Sequence, residues 1–455
     1  MKLPDAWRKG VVAVVGLGKS GVAATRLLVR EGVRVYASDS TDHPYAGAAA
    51  ESLRALPGVE VDLGRHDLAK IRAAAGVVVS PGVPPDAPPL AAAREAGIEI
   101  VSELDLGFRA IAAAGETHCI AITGTNGKTT TTALVAHLLA TAGLKAAAAG
   151  NIGRPLADVA VSEAADRYRW LSVEVSSFQL HDSPHFAPEV GVLTNLAPDH
   201  LDRYPNVEAY YADKRMLFRN ASASSVWVLN ADDPAVLELA GGAPGRRALF
   251  SLKRPTDGWF DDGARTLRLG GAALVGRDEL RLLGDHNVAN ALAASLAVHE
   301  AGVPTALIGE GLRSFQALPH RLEPVREVGG ILWINDSKAT NIASTVVAIE
   351  AMSRPFVLLL GGRHKGEPYT RLGPLLKDRV RLVIAYGEAG PIVGQDLKGQ
   401  VPLERGTTFE DVVGRARRAA KSGDAVLLSP ACSSYDMFKN YEERGATFRK
   451  LVEAM

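Results

Sequence analysis

This sequence predicts an α/β fold of three domains built on open, mostly parallel sheets, on three observations. Short apolar, β-branched runs recur along the chain, each closed by a turn and followed by a helical pattern, as βαβ units require. Two of these runs end in glycine-rich turns, Gly16-Leu-Gly18-Lys19-Ser20-Gly21 and Gly124-Thr125-Asn126-Gly127-Lys128-Thr129-Thr130. A third series of strands and helices starts afresh near Leu318. The restarts set the expected domains: a Rossmann-like unit at 1–109, a central phosphate-loop domain at 110–317 and a second Rossmann-like α/β domain at 318–455.

In the first unit the strand 11–15 precedes Gly-x-Gly-x-x-Gly, a helical stretch to Val29 and a second strand ending at Ser38-Asp39. An acid about 20 residues after such a loop fits a dinucleotide fingerprint. Alone this unit suits NAD as well as any other nucleotide. The strand 77–80 ends in Ser80-Pro81-Gly82, which is either a plain turn or a second edge of the same ligand site.

The central domain opens on strand, Gly-rich turn and helix, with the helix expected over 131–139. Backbone N–H groups of such a turn face phosphate oxygens, and the helix N-terminus adds positive potential. Lys128 is placed to reach the outer phosphates and Thr129 to hold Mg²⁺. Ile122 stands where the first glycine of the full P-loop pattern belongs. Further strands end at Gly150-Asn151, at Glu174 and at Thr194-Asn195, the last followed by Pro198-Asp199-His200. Strand ends are where α/β sheets place ligands, so Glu174 and His200 are candidate contacts near the phosphates. Lys214 lies in a helical stretch over 207–218 and reads, by itself, as a solvated helix lysine.

In the third domain the strand 330–335 runs into Asp336-Ser-Lys-Ala-Thr340-Asn341, with Thr340 or Asn341 the N-cap of a helix to Met352. The strands 356–360, 381–385 and 424–428 follow, ending in turns that carry Lys365, Gly387 and Ser434.

Composition bounds the rest. The 455 residues carry equal numbers of acidic and basic side chains, so net charge is zero and bulk electrostatics favour neither nucleic acid nor an anionic membrane. No apolar run reaches the roughly 18 residues of a membrane span. The two cysteines, Cys119 and Cys432, are far apart and are expected as reduced thiols of a cytoplasmic protein.

Taken together the motifs resemble the Mur ligases, the ATP-dependent amide-forming enzymes of peptidoglycan precursor synthesis. The resemblance runs nearly end to end. It rests on GTNGKTT, GNIG at 150–153, EVSSFQL at 174–180, LAPDHLDRY at 196–204, GDHNVANALAA at 284–294, PHRLE at 319–323, NDSKATN at 335–341, LLLGGRHKG at 358–366 and LLSPACSSYDMFKNYEERG at 427–445. NDSKATN and the last two blocks look like the D-glutamate-adding branch. No DNPR-type block of the diaminopimelate-adding branch is present.

The resemblance implies a reaction and a site. The partners are UDP-N-acetylmuramoyl-L-alanine and D-glutamate, the cofactors ATP and Mg²⁺ as two ions, and the enzyme is expected to be a monomer. The loop 124–130 with Asn287, Asn290, Arg321 and Asp336 binds ATP. Gly18, Lys19, Ser20, Asp39, Ser40, Ser80, Gly82, Asn151 and His200 take the uridine substrate, so the first unit holds UDP and not NAD. Thr340, Lys365, Ser434, Tyr435 and Tyr441 take D-glutamate. Lys128, Glu174, His200 and Lys214 are the catalytic set. Thr129, Glu174, His200 and Lys214 serve the metal, Lys214 as a carbamate. A folylpolyglutamate synthase shares the phosphate loop but lacks the first unit. A dehydrogenase explains 16–39 only, and a non-catalytic nucleotide switch does not need His200, Lys214 and Lys365 together.

Overall fold

The computed structural model describes residues 3–41, 44–115, 117–162, 168–201 and 203–455. Three sheets follow one another along the chain. The first holds β1 (Val11–Val15), β2 (Arg34–Asp39), β3 (Val59–Leu63), β4 (Gly76–Val79) and β5 (Ile100–Ser102) in the order β3-β2-β1-β4-β5, all parallel. The order reverses between β1 and β4, so the carboxyl ends of these two strands flank a crevice.

The second sheet runs β6 (His118–Thr123), β7 (Ala146–Gly150), β8 (Trp170–Glu174), β9 (Val190–Leu193), β10 (Val226–Asn230) and β11 (Arg246–Ser251). It ends in β12 (Gly258–Asp261), β13 (Thr266–Leu269) and β14 (Ala272–Gly276). Its order is β14-β13-β12-β11-β10-β9-β6-β8-β7. The β12–β14 meander is antiparallel and is not foreseen from the sequence, where its short strands are interrupted by glycines. The third sheet contains β15 (Glu323–Val328), β16 (Ile331–Asn335), β17 (Phe356–Gly361), β18 (Val380–Tyr386), β19 (Leu403–Arg405) and β20 (Ala425–Leu428), ordered β15-β16-β20-β17-β18-β19. Only the β15–β16 pair in it is antiparallel.

The central strands of each sheet are buried along their length, as parallel strands covered by helices on both faces must be. That is why they read as continuous apolar runs. The chain forms two compact units. Met1–Glu279 with Ala289–Ser314 contains the first two sheets, and Leu280–Val288 with Phe315–Met455 contains the third. In the first unit one apolar cluster runs from Leu3 through Leu104 and Leu156 to Leu229, so its two sheets share a core. No helix among the described residues is long and apolar enough to cross a membrane.

Helix limits differ from expectation in instructive places. The helix after the phosphate loop spans Lys128–Thr141, so Lys128 to Thr130 lie in its first turn. The stretch expected over 207–218 is a helix at Val207–Arg215 closed by a 3₁₀ turn at Met216–Phe218. Asn341, not Thr340, is the N-cap of the helix Ile342–Glu350: its side chain accepts from the Ser344 N–H at 2.8 Å.

Candidate functional site

The phosphate loop is folded against its own sheet. Gly124 (φ 142°) and Gly127 (φ 82°) adopt backbone angles that L-residues resist, and a Cβ on Gly127 would lie 2.2 Å from Asn290 Oδ1. Asn290, on the helix Asp285–Glu300, also accepts from the Thr131 hydroxyl at 3.3 Å. The next strand end braces the loop. Thr194 Oγ1 donates to the Asn126 carbonyl at 2.6 Å, and Asn195 Oδ1 accepts from the Asn126 N–H at 2.9 Å. Thr125 donates to the Ala197 carbonyl at 3.0 Å.

Two lysines converge on this loop. Lys128 Nζ donates to the carbonyls of Gly124 (3.0 Å) and Thr125 (2.7 Å). Lys214 Nζ donates to the same Gly124 carbonyl at 2.7 Å from a helix distant in sequence. Lys214 is 1% exposed, and its ammonium lies 4.6 Å from the Tyr210 ring centroid. The solvated-lysine reading therefore fails: the helix Val207–Arg215 turns this residue inward. Burial, and then the neighbouring Lys128 charge, hold its pKa well below the lysine range against the pull of Asp199 and Asp213.

Glu174 closes β8 and is 2% exposed. Its Oε1 accepts from Asn151 Nδ2 at 2.9 Å, while its Oε2 is buried without a hydrogen-bond partner. His200 sits at φ 56° with its ring edge-on to Phe178 (5.1 Å between centroids) and Tyr210 (5.9 Å). Among the described residues no three His, Cys, Asp or Glu side chains form a metal cluster.

At the crevice of the first sheet a cavity of about 540 Å³ is lined by Gly18, Lys19, Ser20, Asp39, Ser40, Ser80 and Gly82 together. Seven residues expected at the uridine site thus share one cavity. Asn151 and His200 are not among its walls. Asp39 accepts from the Leu17 N–H at 2.6 Å and from the Thr41 N–H at 2.9 Å, so it also orders the glycine loop. Ser80 Oγ donates to the Gly16 carbonyl at 2.8 Å, which makes 80–82 a second rim and not merely a turn. His66, which the sequence did not single out, lines the same cavity; its ring meets the Ser38 hydroxyl at 2.9 Å, and burial lowers its pKa. A neighbouring cavity of about 800 Å³ lies between Gly18–Lys19 and Gly153–Pro155, with Arg26 and Arg154 on its walls.

In the second unit the loops after β16, β20 and β17 are neighbours by sheet order. They carry Thr340, Ser434 and Lys365 respectively. Ser434 is buried, Thr340 and Tyr441 are half-buried, Lys365 is exposed and Tyr435 is 63% exposed. Arg363 N–H donates to the Ser433 carbonyl at 2.9 Å, tying two of these loops together. Beneath them lies Arg444, with no exposed surface. It donates to the Ser337 hydroxyl (2.9 Å) and carbonyl (2.8 Å) and to the carbonyls of Cys432 (3.1 Å) and Ser433 (3.4 Å). Asp336 accepts from the Leu322 N–H (3.1 Å) and the Ser429 hydroxyl (2.8 Å), and burial pushes its pKa up to about 7. Arg321 favours the Asp336 anion. Asn287 is buried and donates to the Leu283 carbonyl at 2.8 Å.

Fold and loop define a class: a three-sheet α/β protein with a phosphate-binding loop opening its middle sheet. The chain belongs to the Mur ligase family. Residues 10–102 match the model of the Mur ligase MurD-like N-terminal domain, 122–298 that of the Mur ligase middle domain, and 320–432 that of the Mur ligase glutamate ligase domain. The chain is 43% identical to the UDP-N-acetylmuramoylalanine–D-glutamate ligase of Salinibacter ruber, covering 99% of each. It is 40% identical to the enzyme of that name from Geotalea uraniireducens, over 98% of this chain and 97% of that one. Its fold is similar to that of the UDP-N-acetylmuramate-alanine ligase of Thermotoga maritima (TM-score 0.61, 19% identity, 98% and 99% of the chains covered). A pseudomurein peptide ligase type C from Methanothermus fervidus has the same fold (TM-score 0.58, 19% identity, 98% and 99% covered).

Proposed function

We propose that this chain is an ATP-dependent ligase that adds D-glutamate to UDP-N-acetylmuramoyl-L-alanine in peptidoglycan precursor synthesis. The observation that carries the reading is the full-length likeness to relatives named for that ligation, in a chain whose phosphate loop gathers two lysines. Joining a carboxylate to an amine in water is uphill, so the carboxylate must be activated. An L-alanyl carboxylate oxygen attacks the γ-phosphorus of ATP, the bond to the β-phosphate oxygen breaks, and ADP leaves. The D-glutamate nitrogen then attacks the acyl-phosphate carbonyl, gives up a proton, and phosphate departs with the C–O bonding pair. The first step needs positioning and charge neutralisation above all. Lys128 and the N–H groups of 124–130 supply both at the phosphates, with Asn290 bracing the loop. Asn287, Arg321 and Asp336 serve the rest of the nucleotide.

The residues present fit Mg²⁺: Glu174 offers a buried carboxylate oxygen without a partner, and Thr129 offers a hydroxyl in the first helical turn. Hard oxygen donors completed by substrate phosphates suit this ion, whose charge, when bound, would offset that of the phosphates. His200 serves the carboxylate end of the substrate. Lys214 must be neutral to react with CO₂, and its lowered pKa favours that form; its carbamate would add a second carboxylate for a second ion. Gly18, Lys19, Ser20, Asp39, Ser40, Ser80 and Gly82 hold the uridine diphosphate, with Asn151 beyond them. Lys365, Thr340 and Ser434 hold the two carboxylates of D-glutamate, and Tyr435 and Tyr441 flank them. We read the functional domains as 1–109, 110–317 and 318–455, in a cytoplasmic monomer.

Phosphate release from ATP tests this. It should require both the UDP-muramoyl substrate and an amino acid, with D-glutamate preferred over L-glutamate, L-alanine and diaminopimelate offered separately. Release with ATP alone, or preference for another amino acid, would remove the reading.

A further inference from the structure

We infer that Glu103 is a positioning residue for the uridine-substrate cavity, holding the wall formed by Gly153–Pro155 at its working distance from the wall formed by Gly18–Lys19. This rests on the reading that the cavities beside the first glycine loop take the UDP-sugar substrate.

Glu103 opens the helix Glu103–Ala114 and is 1% exposed. Its Oε1 accepts from the Ala157 N–H at 2.6 Å, while Oε2 is buried without a hydrogen-bond partner. Ala157 is the second residue of the helix Leu156–Val161, which begins directly after Gly153–Pro155. The Leu156 N–H and the Ser20 hydroxyl also favour the Glu103 anion, and Ser20 belongs to the glycine loop that forms the opposite wall. One helical turn beyond Glu103, on the same face, stands Gly107. A Cβ there would lie 2.5 Å from the Ala157 nitrogen, so the backbones of the two helices touch. At the far end of Leu156–Val161, Arg30 Nη1 donates to the Ala160 carbonyl at 2.5 Å. The short helix is thus held by an anion at its N-terminus and a cation near its C-terminus, the arrangement its dipole favours.

A carboxylate in such surroundings has no packing use that an apolar side chain would not serve better. Burial pushes its pKa up to about 7, so the acid form is accessible near neutrality and glutamine is a fair stand-in for it. What the carboxylate adds is direction: it fixes the Ala157 N–H, at the start of one cavity wall, to the first turn of the helix Glu103–Ala114.

The test is steady-state kinetics on the full chain, varying each substrate in turn. Misplacing a positioning contact by about 1 Å can cost on the order of 100-fold. Glu103→Ala should therefore raise the KM for UDP-N-acetylmuramoyl-L-alanine at least ~10-fold, leaving those for ATP and D-glutamate within ~2-fold. Glu103→Gln, whose carbonyl still accepts from Ala157, should restore most of the loss. Amide hydrogen exchange at 151–158 should quicken in the alanine variant without any ligand. If Glu103→Ala does not fold, Glu103→Asp, one methylene shorter, should show the same selective rise in smaller measure. A KM for the UDP substrate that is unchanged, or that rises in step with the other two, overturns the inference. A wild type that does not use the UDP substrate overturns the functional reading instead, and the exchange at 151–158 then decides the role of Glu103 alone.

Discussion

Replacing Arg444 with methionine, a shorter apolar side chain with no hydrogen-bond donor, should loosen two loops at once. Its guanidinium is fully buried and its hydrogen-bond acceptors are the hydroxyl and carbonyl of Ser337 and the carbonyls of Cys432 and Ser433. The Ser433 carbonyl keeps the Arg363 N–H, so it survives the change. The Cys432 and Ser337 carbonyls lose the donors described above. Each buried acceptor left unmade costs about 1–3 kcal/mol, which gives roughly 2–6 kcal/mol gross. Against this, the variant no longer buries a guanidinium whose hydrogen bonds go to neutral acceptors, which returns part of the cost. A net loss of about 2–4 kcal/mol is expected, concentrated in the second unit. Hydrogen exchange resolved by peptide is the fitting assay, because a chain of two compact units need not unfold in one step. Exchange should quicken at 337–341 and 429–436, and the KM for D-glutamate should rise well ahead of that for ATP. Protection at wild-type levels in both loops would refute the argument that Arg444 fastens them.

Other outcomes follow from the same geometry. Lys128→Ala should abolish turnover while shifting the urea midpoint only slightly, since Lys128 is half-buried and the Gly124 carbonyl it leaves keeps the Lys214 ammonium; near wild-type activity would end the phosphate-loop assignment. Activity should fall in CO₂-depleted buffer and return with bicarbonate, and Lys214→Arg, which cannot form a carbamate, should not respond. Lys365→Ala should raise the KM for D-glutamate far more than that for ATP, a split that a purely structural role would not give. Asp336 binds its proton more tightly folded than unfolded, with a folded pKa near 7 against an ordinary value of 3.8. Its contribution is therefore most favourable at low pH and is lost as pH rises from about 4 to 7, on the order of 1.4 kcal/mol per pH unit inside that window. Comparing urea midpoints of wild type and Asp336→Asn across pH 5–8 checks this: the variant's curve should be flatter.

Much of the fold was legible because parallel strands buried on both faces must be apolar throughout, and β1, β6, β17 and β20 announce themselves that way. The phosphate loop was legible because its chemistry demands Gly, Lys and Thr in a fixed local frame. The antiparallel β12–β14 was not, since its short, partly exposed strands carry no comparable run. The interior roles of Lys214, Glu103 and Arg444 were hidden for a different reason. Lys214 and Arg444 lie in helices of polar local sequence and Glu103 opens a more apolar one, yet Lys214, Glu103 and Arg444 are fixed by partners 90, 54 and 107 residues away. Periodicity reports on neighbours three and four apart, and says nothing of a carbonyl brought in by another strand.

The shared carbonyl of Gly124 has a kinetic meaning. Two amines, from the first turn of one helix and from the interior of another, rest on a single oxygen, and the Lys128 charge already depresses the protonation of Lys214. The loop is thus electrostatically frustrated in a defined direction. On the proposed function, an incoming phosphate would offer Lys128 a full negative charge in place of a neutral carbonyl, so that its movement outward would be an exchange of partners and not the breaking of a bond. Were Lys128 to move onto that phosphate, Lys214 would be relieved of a like charge and would keep the carbonyl to itself. On the proposed phosphate-loop reading, nucleotide entry and the protonation of this buried lysine, while it is not yet a carbamate, are in this way the two ends of one lever.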